Sequence, residues 1–147
     1  MLVGVAVCVG LILWLAPSRR LARDRLAQPE RVSQTARGVL AHRMARHGET
    51  LSELMNRLVL LDYEGVQREA QRIREEPPLS RPLTGDATEL NSLLPARFFD
   101  LQDELRVRAA AVEEAARRSD SAKLIDSYSA LARTCITCHQ LYLGGDR

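Results

Sequence analysis

Aromatic side chains are scarce in this chain of 147 residues: two Phe, three Tyr and one Trp amount to 4%. A domain of that length normally relies on buried rings for bulk. This one must either pack small aliphatic side chains closely or borrow bulk from a bound group. Cysteine is scarcer still. Cys8, Cys135 and Cys138 cannot all pair, and the last two are too close in sequence to staple distant segments, which excludes a disulfide framework. An excess of one charge sign is also missing. Lys and Arg total 21 against 19 Asp and Glu, a formal +2 with both signs interspersed, so nothing marks a nucleic-acid partner. What is present is an ordinary globular mixture, 46% hydrophobic and 27% charged, of a length that suits one domain with one core.

Met1 to Ala16 carries no charge, and Pro17 stops the run before Arg19, Arg20, Arg23 and Arg25 follow. The run falls short of the ~20 residues that span a bilayer and matches the apolar region of an export signal. We read residues 1–17 as a signal peptide or membrane anchor, so a tether through residues 1–16 is expected if it is not cleaved. No Lys or Arg precedes the run, no Ala-x-Ala site closes it, and the arginines behind it favour holding the body of the protein in the cytoplasm. Two readings stay open: a true start upstream with its own basic residues, or an uncleaved anchor. A lipoprotein site at Cys8 would want a small residue where Val7 stands.

Residues 18–34 are Arg-rich, weakly apolar and broken by Pro29, the character of a linker leading into a domain over 35–147. Between Val39 and Leu61, Leu40, Met44, Leu51, Leu54, Leu58 and Leu61 recur at the spacing of one helical stripe. Asp62 can cap a second, shorter helix whose Val66, Ala70 and Ile73 share a face, ended by Pro77 and Pro78. The stretch from Pro77 to Pro95 has the composition of a surface crossover. A third helix opens at Pro95 and runs to about Arg118 through Phe98, Leu101, Leu105, Ala109, Val112 and Ala116. Ser119 or Asp120 can cap a fourth, whose stripe holds Leu124, Tyr128, Leu131, Cys135, Cys138 and Tyr142 before Gly144 and Gly145 close it. No strand pattern survives. The expected fold is all-α, an antiparallel four-helix bundle.

Cys135-Ile136-Thr137-Cys138-His139 spells CxxCH, the attachment motif for haem c. In a chain with three cysteines and three histidines, it arises by chance in on the order of one in a thousand shuffled sequences. On a helix, residues three and four apart share a face, so the two thiols and the imidazole can address one flat group beside it. Cys135 and Cys138 are then thioether donors and His139 the proximal iron ligand. A tetrahedral zinc site would need a fourth donor that the domain does not offer, and a redox dithiol sits better at a helix start than near a helix end. A haem-free zinc or thiol interaction module is nonetheless kept as a rival.

The sixth iron position has two candidates on the first helix. At about 100° per residue, Met44 and His47 project within about 40° of Leu40, Leu51 and Leu58, while His42 points the other way. Met55 lies at the edge of the stripe. Tyr128 and Tyr142 share the face of the cysteines and are expected to line the pocket. Arg43 and Arg46 are read as solvated charges within reach of a haem propionate.

These features resemble class II c-type cytochromes, the cytochrome c' group and its low-spin relatives, over Leu40 to Tyr142. The likeness rests on the C-terminal position of CxxCH, the four-helix pattern, and the stretch from Phe98 through Leu105 and Ala109 to SALARTCITCHQLY. It implies an exported bundle with one covalent haem, His139 as proximal ligand, and a distal face from the first helix. High-spin members leave that face open to nitric oxide or carbon monoxide, and low-spin members close it with a methionine. Tyr142 is followed here by Leu143 rather than a basic residue, and His47 on the distal stripe is a departure. The expectation is a periplasmic monohaem electron-transfer protein, not an enzyme, with a redox partner protein and a family tendency to form homodimers. A five-coordinate protein that binds a diatomic gas is the alternative.

Overall fold

The computed structural model describes residues 30–81 and 90–144. The segment read as export signal or anchor, Cys8 and most of the linker lie outside the described residues. No helix among those described is long and apolar enough to cross a membrane.

Four α-helices and no strands make up the described chain: α1 (Gln34–Val59), α2 (Tyr63–Glu75), α3 (Ala96–Arg117) and α4 (Ser121–Leu143). α1 starts earlier than the Leu40 repeat suggests, because Ser33 caps it by accepting from the Ala36 N–H and Ala36 packs in the core one turn before Leu40. Pro95, expected in the first turn of α3, is its N-cap instead, in extended conformation. Between α2 and α3 the described chain holds one short 3-10 turn, Leu90–Leu93.

Both helix hairpins turn the same way. After α1, the Leu61 N–H bonds the Leu58 carbonyl at 3.1 Å and the Asp62 N–H bonds that of Arg57 at 3.0 Å. After α3, Ser119 and Asp120 repeat this with Ala116 and Ala115 at 2.9 and 3.1 Å. These are Schellman stops, and they need a left-handed residue, here Leu61 (φ 56) and Ser119 (φ 52). The next residue in each turn, Asp62 or Asp120, caps the following helix by accepting from Gly65 or Lys123.

Each helix packs along its sequence neighbours, and α4 returns against α1, where the approach is loosest. The start of one helix lies by the end of the next, as Phe98 by Tyr142 and Arg43 by Pro77 show, so the arrangement is an antiparallel helical bundle. Its core is split. One cluster joins Leu54, Val66, Leu131 and small residues such as Ala70, Ala109 and Ala116, which let α2, α3 and α4 approach closely. The other joins Leu40, Met44 and Leu141 to an edge-to-face group of Phe98, Phe99 and Tyr142, with centroids 5.4 and 5.8 Å apart.

Candidate functional site

A cavity occupies the seam between the two core clusters, taking Cys135, Leu105 and Ile73 from one and Cys138, Met44 and Phe98 from the other. Its enclosed space is about 50 Å3, room for a few waters, and it is open to the surface on one side. α1 contributes Leu40, Arg43, Met44 and His47 to the wall. α4 contributes Cys135, Cys138 and His139, and α3 contributes Phe98, Leu101, Gln102, Leu105 and Arg106. Each group is the inward side of one helix at spacings of three and four, so the same periodicity that builds the core also delivers the chemistry.

The structure therefore brings Cys135, Cys138, His139, Met44 and His47 to one space. It does not bring Tyr128 or Tyr142 to the cavity wall. Tyr128 is half-buried against the first core cluster, and Tyr142 is fully buried in the aromatic group with no partner for its hydroxyl among the described residues. His42 and Met55 are exposed.

Burial sets the protonation of the motif. It pushes the Cys135 thiol up to about 11 and the Cys138 thiol up to about 12, the latter helped by the charges of Cys135 and Glu104. Burial, with His47 nearby, holds the His139 imidazole below its ordinary value. Near neutral pH the site thus holds two neutral thiols and a neutral imidazole, the form in which a histidine ligates iron. No group of three or more His, Cys, Asp or Glu residues able to hold a metal ion is gathered among the described residues, so a tetrahedral zinc has no donor set there.

The chain that follows α2 adds Glu76 and Pro78 to the cavity wall. Glu76 faces α1, where its carboxylate takes Arg46 at 2.6 Å and pairs with His47 Nε2, and Arg43 donates to the Pro77 carbonyl at 2.6 Å. Desolvation opposes the charge on Glu76, but Arg46, His47 and Arg43 together hold its carboxyl below the usual range. On the α3 side, Arg106 donates to the Glu76 carbonyl at 3.2 Å. The Gln102 amide makes two bonds with the Leu79 backbone, at 2.9 and 3.0 Å. Arg81 reaches Asp100 and Asp103 at 2.9 and 3.2 Å. Residues 76–81 form a strap held to two helices by side chains.

Sequence reasoning missed Glu76, Gln102 and Arg106. Phe98, Gln102 and Arg106 lie on one row of α3 at intervals of four, and that row beside the apolar stripe was the available signal. Glu76 had none, because its partners come from other elements. Compared with family models, with curated proteins and with solved structures, the chain finds no match in any of the three.

Proposed function

We propose that the chain is a monohaem c-type cytochrome that passes single electrons between partner proteins on the far side of the cytoplasmic membrane, as the likeness to class II c-type cytochromes implies. The observation that carries this reading is the convergence at the seam cavity, whose wall takes Cys135, Cys138 and His139 of CxxCH from α4 and Met44 from α1. Haem bound there supplies a ferric–ferrous couple that takes up and releases one electron.

The chain's own groups have separate tasks. Cys135 and Cys138 would hold the ring as thioethers, each S–H adding across a vinyl group, which needs no oxidant, and His139 would be the proximal ligand. Met44 is the better candidate for the distal position than His47, since Met44 is buried on the wall at 5% exposure while His47 Nε2 is already engaged by Glu76. The leucines and Phe98 exclude water, which favours the less charged ferrous centre. The raised thiol values speak against a redox dithiol, whose attacking cysteine must ionise.

The test is the mass and optical spectrum of the exported protein. A covalent haem mass with a low-spin reduced spectrum that carbon monoxide barely changes, turning high-spin in Met44→Ala, is the expected result. A high-spin spectrum that shifts with carbon monoxide assigns diatomic gas binding in place of electron transfer. Absence of a haem mass refutes both and returns the site to a thiol module.

A further inference from the structure

We infer that Arg43 and Arg106 form a carboxylate-binding edge of the cavity that takes the two acidic side groups of the bound ring, an inference that rests on the haem reading above. Both arginines line the cavity, Arg43 from α1 and Arg106 from α3. Both are steered by backbone carbonyls of consecutive residues in the strap, Pro77 at 2.6 Å and Glu76 at 3.2 Å. A carbonyl satisfies an N–H but cancels no charge.

The local charge is out of balance. The Glu76 carboxylate is engaged by Arg46 at 2.6 Å and by His47, and lies 4.0 Å from Arg43. Arg106 pairs with no carboxylate among the described residues; its hydrogen bond goes to the Glu76 backbone. Three guanidiniums thus share one carboxylate, an excess of two positive charges before His47 is counted. Each guanidinium has five donors in a planar fork and uses few of them here, and a carboxylate is the group that fits the remainder in pairs. An excess charge beside an apolar wall is costly unless an anion meets it.

Haem c matches this in number and layout: it carries two carboxylates on one edge and its thioether positions elsewhere on the ring. Thiols come from α4 and guanidiniums from α1 and α3, so the two kinds of group would fix how the ring enters.

The test uses the full chain with Cys135→Ala and Cys138→Ala, so that a porphyrin binds reversibly. It is titrated with haemin and with haemin dimethyl ester, which keeps the ring and neutralises both acids. Haemin should bind about tenfold or more tighter than the ester, and Arg43→Gln with Arg106→Gln should bring the two within about twofold, while Arg106→Lys keeps part of the gap. Equal binding of both porphyrins by the parent overturns the inference and leaves the haem reading standing. A wild-type chain that never acquires a haem mass overturns both. If the cysteine-free chain retains neither porphyrin, the wild-type holoprotein decides: the propionate bending band in its resonance Raman spectrum should move in Arg106→Gln and not in the exposed Arg108→Gln. A band unmoved by Arg106→Gln overturns the inference.

Discussion

Cys135 and Cys138 sit one helical turn apart, half-buried, with thiols at about 11 and about 12. At pH 7 such thiols are ionised in about one molecule in ten thousand or fewer, and the ionised fraction rises about tenfold with each pH unit until the pKa is reached. Alkylation of the unloaded chain by iodoacetamide should therefore be slow at pH 7 and still climb past pH 9, where a free cysteine levels off. A rate that levels near pH 8 would show the thiols to be exposed and reactive, as a dithiol module requires. The motif was legible at this scale because five adjacent residues carry it. The contrast between Met44 and His47 was not, since both lie on the same stripe and only the position of Glu76, 29 residues further on, separates them.

The two hairpin corners belong to the scale of elements. Asp62 and Asp120 were readable as caps, because a short acceptor ahead of an apolar repeat has a local meaning. The residues before them were not readable as left-handed, since Leu and Ser rarely carry a positive φ and Gly usually holds that place. Replacing Leu61 by Gly removes the strain of φ 56 and a side chain that is 63% exposed, and should raise stability to urea by about 0.5–1 kcal/mol with an unchanged m value. Ser119→Gly, at φ 52, should act alike. The start of α1 was misplaced for a related reason: its first turn packs only Ala36, and the surrounding arginines resemble a linker until Ser33 is seen to cap it.

At the scale of the molecule, the shortage of aromatics has a visible consequence. Small residues close one half of the bundle, and the buried rings of Phe98, Phe99 and Tyr142 gather in the other half, which leaves a cavity between them. A covalently held ring would join the two clusters into one core. The haem-loaded protein should then exceed the unloaded Cys135→Ala/Cys138→Ala chain by at least about 2 kcal/mol, or roughly 5–10 °C in Tm, by calorimetry. Equal stabilities would mean that the ring lies outside the core. By itself the sequence determined the four helices, the acceptors that cap α2 and α4, and the common face of Cys135, Cys138 and His139, because a helix repeats every few residues and its pattern is written locally. The tertiary structure alone decided where the core parts, that Glu76 holds His47, and that Arg106 reaches the strap 30 residues away. Those contacts join elements that only packing brings together, and no local spacing records them.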